Sequence, residues 1–303
     1  MWVKKGNIFN EHHAQVPVVD IINKNYRVYY STKNNEGKSI PMVLEFSENM
    51  EIVSTPKKVN IDLGKPGYFD WSGIMPTKII TLPNGIKYLY YIGWSQRIDV
   101  PYHNCIGLAL SKDNGTTWEK FSDGPIFNTS HMEPGFIGSL DILIENKIWK
   151  MWYLSCRKWI EHDDKKEPVY DIKYAYSTNG IDWIPTNHTC INLHTGEGGI
   201  ATPRITKNVD GTYKMIFCVR GLTDYRTNEK NSYRIESAIS NNGLEWDRNG
   251  IVLSPSPESD WDNIMVSYPY LVENNKKRII FYNGNGFGKT GIGYAIYENT
   301  ITK

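Results

Sequence analysis

Hydrophobic and polar positions alternate in short runs along nearly the whole chain. KYLYYIGW at 87–94, WKMWYLSC at 149–156, YKMIFCVRG at 213–221 and RIIFYNGNG at 278–286 are aromatic-rich runs bounded by Gly, Asn and Asp. Period-two alternation over such lengths predicts β-strands rather than helices. Each run is preceded by an apolar strand and a short polar turn, as in GIMPTKIITL before PNG at 83–85 and GIATPRITK before VDG at 209–211. Each leads on to a third strand, such as CIGLALS, DIKYAYS, RIESAIS or GIGYAIYE.

This order of events repeats, and a repeat decides architecture before any single motif does. Five units are countable, with first strands centred on Pro17, Pro76, Leu140, Pro203 and Pro269. Three of the third strands end in a common turn: SKDNGTTW at 111–118, STNGIDW at 177–183 and SNNGLEW at 240–246. The first unit carries a degenerate version, SENMEIV, with Met50 where the others have Gly. The last unit lacks a fourth strand, and WVKKGNIF at 2–9 aligns with the fourth-strand segments WDRNGIVL and WEKFSDGPIF. The expectation is an all-β, five-bladed β-propeller with four-stranded antiparallel blades. Residues 2–9 supply the outer strand of the last blade, closing a single domain over 1–303 and pairing edges that would otherwise stay open. A sixth blade would need more residues than remain. The Gly of each repeated turn takes positive φ between third and fourth strands, and Trp118, Trp183 and Trp246 bury between blades.

Bulk properties exclude several functions. A net charge of +1 over 303 residues offers no footprint for nucleic acid or an anionic membrane. No apolar run approaches the ~20 residues of a membrane helix. The N-terminus, MWVKKGNIFNEHH, has no apolar core of a signal peptide, and Cys105, Cys156, Cys190 and Cys218 show no metal or disulfide spacing. These features point to reduced thiols and a cytoplasmic protein. No cofactor motif occurs. The adjacent His12 and His13 face opposite ways in an extended segment, so no metal site is expected.

Loop lengths are uneven, and loops on a rigid scaffold carry function. The long ones join second to third strands: SQRIDVPYHN at 95–104, SCRKWIEHDDKKEPVYD at 155–171 and VRGLTDYRTNEKNS at 219–232. Elaborate connections also lead into each first strand, and in an up-and-down blade both classes emerge on one face. Each unit places an acid shortly before its first strand: Glu11, Asp70, Glu133, Glu197 and Asp262. These carboxylates are expected to converge on a funnel with His12, His13, Trp71, His131 and Trp261. Arg97, His103, Arg157, Arg220 and Arg226 would reach it from the long loops. Carboxylates, arginines and aromatics around a concavity suit a sugar ring. Asp141 and Arg204 occupy equivalent strand positions in neighbouring units and are expected to form a structural ion pair.

SKDNGTTW resembles the Asp-box turn of sialidases and other propellers, where it is a folding element. The whole chain resembles the five-bladed propellers of glycoside hydrolase families 43 and 32. That resemblance implies a funnel with an acid, a base or nucleophile, and a third carboxylate, which together can cleave a glycosidic bond. Glu197 is the candidate acid, with Asp70 and Glu133 as base or third carboxylate. Trp71, Arg97, His103, Arg157, Arg220, Asp262, His13 and Tyr268 are the candidate sugar-binding residues. The sequence departs from those families at their Asp-Pro: here the pair is Val16–Pro17, and later units hold Met75, Ser139, Thr202 and Tyr268 at the corresponding place. Three readings stay open: a glycosidase, a catalytically silent propeller binding a sugar or nucleotide-sugar, and a sialidase-like enzyme clamping an anionic sugar with Arg97, Arg157 and Arg220.

Overall fold

The computed structural model describes residues 1–274 and 277–298. Residues 299–303, the end of the expected domain, lie outside the described residues. The strands pair as successive four-stranded antiparallel meanders. Strand β1 (Trp2–Phe9) is set aside by the chain and taken up last. The first meander is β2 (Gln15–Ile22), β3 (Asn25–Lys33), β4 (Ser39–Phe46) and β5 (Lys57–Lys58). The second is β6 (Gly73–Thr81), β7 (Lys87–Gln96), β8 (Tyr102–Ser111) and β9 (Glu119–Lys120). The third is β10 (Ile137–Glu145), β11 (Ile148–His162), β12 (Lys165–Ser177) and β13 (Ile184–Ile191). The fourth is β14 (Glu197–Lys207), β15 (Tyr213–Gly221), β16 (Arg234–Ser240) and β17 (Asp247–Leu253). The last is β18 (Ser267–Asn274), β19 (Lys277–Asn283) and β20 (Ile292–Tyr297), completed by β1 along the register Trp2↔Tyr297 to Phe9↔Ile292.

First strands contact one another in order, β2 with β6, β6 with β10, β10 with β14, β14 with β18, and β18 with β2. Single parallel bridges, Ser39↔Gly73 and Tyr170↔Gly199, join neighbouring meanders edge to edge. A Cβ on Gly199 would run into the Tyr170 ring, so glycine is needed for that approach. The core lies between the meanders as large aromatics, among them the fully buried Tyr29, Tyr91, Trp152 and Tyr282. Cys105, Cys156, Cys190 and Cys218 are buried and free. Among the described residues, no helix is long and apolar enough to cross a membrane.

The repeated Ser–Asn/Asp–Gly turns act as clips between neighbours. The Ser side chain accepts from the Gly amide at 2.8 Å in Ser111–Gly115 and Ser240–Gly243, and at 3.0 Å in Ser177–Gly180. Each Gly carbonyl then accepts from an aromatic on the second strand of the preceding meander: Tyr29 Oη to Gly115, Tyr90 Oη to Gly180 and Trp152 Nε1 to Gly243. In the first meander Met50 adopts φ of 66°, taking the conformation that glycine takes elsewhere.

Two expectations need correction. The segment 155–171 is no loop: β11 and β12 continue as a ribbon to the pair His162↔Lys165. Asp163 and Asp164 both take positive φ at its tip, as a two-residue hairpin turn demands. Arg204 does not pair with Asp141. Lys78 takes that carboxylate at 2.5 Å, and Arg204 donates instead to the carbonyls of Pro269, Thr77 and Leu140, each at 2.9 Å. A guanidinium has enough forked donors to satisfy several carbonyls at once, which a carboxylate partner would have left unpaired.

Candidate site: a cavity where the first strands bulge

All five first strands break register at one place, between Gln15 and Val18, Pro76 and Lys78, Ile137 and Leu140, Ala201 and Arg204, and Ser267 and Tyr270. A bulge re-aims the side chain it carries. In four of the strands the break carries Val16, Ser139, Thr202 and Tyr268; in the second it falls at Thr77, just past Met75, which stays in register with Ile92. Val16, Met75, Ser139, Thr202 and Tyr268 all line one cavity of about 370 Å³. Val16, Thr202 and Tyr268 hold φ of 58°, 54° and 52°, which is costly for branched or bulky residues. Neighbouring strands hold them there: Asn283 Oδ1 accepts from the Val16 amide and Ser139 Oγ from the Thr202 amide, both at 2.8 Å.

The cavity wall is aromatic. Tyr102 and Phe136 meet with ring centroids 5.3 Å apart, and Tyr233 and Phe287 at 5.9 Å. Trp94, Tyr170 and Tyr225 complete it, with Asn104 and Gln15 as amides and Lys33, His13 and Arg226 as the basic groups. The ribbon brings Glu167, which is 4% exposed, behind this wall, where it accepts from Tyr225 Oη at 2.5 Å and pairs with Arg226. Sequence reasoning missed Glu167, Tyr170, Tyr225 and Tyr233. Within 155–171 the widely spaced Trp159 and Tyr170 give no strand alternation that could have signalled the ribbon.

The expected acids stand elsewhere. Asp70 is fully buried, accepting from Tyr91 Oη at 3.2 Å and pairing with Lys120 at 2.5 Å. Glu133 accepts from Tyr153 Oη at 2.9 Å and Ser155 Oγ at 2.7 Å, with Lys173 at 3.4 Å. Asp262 accepts from Tyr282 Oη at 3.1 Å and pairs with Lys4 at 2.7 Å. Acid, second-strand tyrosine and a lysine thus recur in three meanders as an internal strut. Glu197 makes the fourth variant, with Arg248 at 2.7 Å and Arg234 at 2.9 Å. Burial pushes the Glu197 carboxyl up, but bonds from Arg248 and the His194 amide outweigh it and hold it below the ordinary value. A general acid needs the opposite shift. Glu11 is exposed. None of the five acids lines the cavity.

Of the expected binding residues, His13 and Tyr268 line the cavity. Burial is the main influence lowering His13, with the nearby charges of Lys33 and Lys289 adding to it. Arg220 lies fully buried behind the wall, donating to Tyr170 Oη at 2.8 Å and to the Gly221 carbonyl at 2.8 Å, with a third bond to Pro168. Arg157 is engaged by Asp171, and Arg97 is exposed. The three arginines are therefore not gathered into a clamp. Trp71 is exposed under Lys38, whose Nζ sits 3.4 Å from the ring centroid. His103 is half-buried, with its pKa lowered by burial and then by Arg97. His12 and His13 do face apart, His12 to Tyr30 Oη at 2.7 Å and His13 to the Phe287 carbonyl at 3.1 Å.

This geometry has counterparts among known proteins. No protein-family model matches the sequence. An uncharacterized protein of Mycobacterium tuberculosis, Rv1502, is 29% identical over 313 residues, covering 98% of this chain and 99% of its own. Among solved structures, BT0996 in its RGII complex superposes with a TM-score of 0.75 at 16% identity, covering 98% of this chain and 92% of that one. A thermostable family-43 glycoside hydrolase superposes with a TM-score of 0.69 at 16% identity, covering 95% and 91%. The fold of this chain is that of the propeller glycosidases, which families 43 and 32 share.

Proposed function

We propose that the five meanders are the blades of one propeller domain spanning 1–303, and that this domain binds a carbohydrate in the cavity where the first strands bulge. The observation that carries the reading is the ring of Val16, Met75, Ser139, Thr202 and Tyr268. Each first strand contributes one of them at or next to its register break, with positive φ at Val16, Thr202 and Tyr268, and all five line an aromatic-walled cavity. Its volume falls in the range of small-molecule sites, ~300–1,000 Å³. Aromatic faces stack on a sugar ring while Asn104, Gln15, Ser139 and Thr202 offer hydrogen bonds to hydroxyls. The likeness to propeller glycosidases supports the same ligand class.

Binding without hydrolysis is the form we favour. Two carboxylates must flank a glycosidic bond for acid–base cleavage. Among the described residues no Asp or Glu lines the cavity, and Asp70, Glu133 and Glu197 are held in ion pairs within their own meanders. Hydrolysis is the second reading, favoured by Glu167, whose carboxylate bonds to Tyr225 and Arg226 of the wall. Purified full-length chain with a panel of oligosaccharides, observed by saturation-transfer NMR and followed for new anomeric signals over hours, separates the two. Ligand signals without turnover are expected. Turnover abolished by Glu197→Gln would overturn our assignment of that residue to folding.

A further inference from the structure

In the cavity wall and behind it lie basic groups that have no carboxylate partner among the described residues. Arg220 is fully buried and, among the described residues, has no carboxylate within ion-pairing distance. Its donors go to a phenol and two carbonyls, and its guanidinium stacks on Tyr225 at 3.8 Å and Tyr170 at 4.7 Å. A buried cation without a counter-charge is expensive unless something supplies one. Lys33, at the cavity mouth, bonds to Ser39 Oγ at 2.9 Å and lies 4.5 Å from the Trp94 ring centroid, again with no carboxylate partner among the described residues. His13 and Lys289 stand beside it. The buried acids of the ribbon are already engaged, Glu167 by Tyr225 and Arg226 and Asp171 by Arg157 and Thr189.

The hydrogen-bond directions favour an acceptor in the same place. A guanidinium only donates, so the oxygen of Tyr170 must accept from Arg220. Tyr170 and Tyr233 share one hydrogen bond between their hydroxyls. Two phenols joined by one bond hold two protons and use one, so a proton remains to be donated. Both rings line the cavity.

From this we infer that the ligand is an acidic sugar, whose anionic group is held in the cavity by Lys33 and the Tyr170–Tyr233 hydroxyl pair polarised by Arg220. The inference rests on the carbohydrate-binding reading and names the class of sugar within it. A uronate carboxylate and a sugar phosphate offer the same anionic acceptor, and the two sources are separated by experiment.

The test is calorimetric titration of the full-length chain with matched probes: glucose and glucuronate, galactose and galacturonate, and the corresponding hexose 6-phosphates. At low salt the acidic member of at least one set should bind about tenfold or more tightly than its neutral partner. That ratio should shrink as ionic strength rises to about 0.5 M. Lys33→Met and, separately, the double variant Tyr170→Phe/Tyr233→Phe should each bring it towards unity. A uronate preferred over the phosphate assigns the carboxylate source, and the reverse assigns the phosphate. Neutral and acidic partners binding alike, or a preference that survives both variants, would overturn the inference while leaving carbohydrate binding intact. No binding by any probe would overturn both.

Discussion

Arg204 Nη1 donates to the main-chain carbonyl of Thr77 at 2.9 Å, reaching from the first strand of the fourth meander to that of the second. The same nitrogen bonds Leu140 and Nε bonds Pro269, so one buried side chain ties four first strands together. It also lies 4.6 Å from the Tyr270 ring centroid. Burial draws its pKa down, with Asp141 opposing. Arg204→Met should strand the buried carbonyls of Thr77 and Pro269, while Leu140 keeps a bond from Thr77 Oγ1, at a cost of about 2 kcal/mol or more. Urea unfolding should show a lower midpoint with an unchanged slope.

Glu197→Gln should act on the fold, not on the ligand. It leaves Arg234 and Arg248 facing Glu236 alone, and these partly exposed pairs set the loss at about 2 kcal/mol. Carbohydrate affinity should stay within about twofold of the parent, since the residue stands outside the cavity lining. Denaturant melts and titration calorimetry on the same preparation check both halves.

Trp94 is the tryptophan of the cavity lining. Filling the cavity should change the polarity around its indole, so sugar addition should shift intrinsic emission. Trp94→Phe should abolish that shift even where calorimetry still detects binding. An unchanged shift in the variant would move the ligand to another site.

Glu145 joins Lys150, Lys207 and Tyr213 at the seam between the third and fourth meanders. Burial pushes its carboxyl up, but the bonds from Lys150, Lys207 and Tyr213 prevail and lower it from 4.5 to about 2. A folded pKa below the unfolded one means stability present above pH 4.5 and lost as pH falls towards about 2. Glu145→Gln should flatten that part of the acid-unfolding curve, measured by circular dichroism.

Gly180 holds φ of 76° at the clip between the second and third meanders, with the Trp149 ring against it. Gly180→Ala should cost about 1–2 kcal/mol from the left-handed conformation alone, and more as Trp149 is displaced. Gly211→Ala, at φ of 89° with open space around it, should cost only the conformational part. Comparing the two thermal melts isolates the packing at the clip.

The repeat was legible because every unit must solve one local problem in the same way. Alternating aromatics, a Gly turn and a Pro-centred first strand recur, and the aligned 2–9 segment pointed to the strand that pairs with Ile292–Tyr297. The acids were legible as a repeated feature and misread as a convergent one. Asp70, Glu133 and Asp262 each answer a tyrosine and a lysine of nearby strands, a relation that distance along the chain does not reveal. Sequence spacing showed that something recurred. It could not show which way the side chains turned.

By itself the sequence determined the strand order, the turns and the first-strand position occupied by Val16, Met75, Ser139, Thr202 and Tyr268, because local alternation and turn chemistry act over a few residues. Tertiary structure decided what those positions face. The folded strands bring them to one cavity, the ribbon carries Tyr170 to its wall and Glu167 behind it, and Arg220 lies behind that wall with no carboxylate partner among the described residues. Those outcomes depend on groups far apart in the chain meeting at low dielectric, where pairing and burial set both charge and direction.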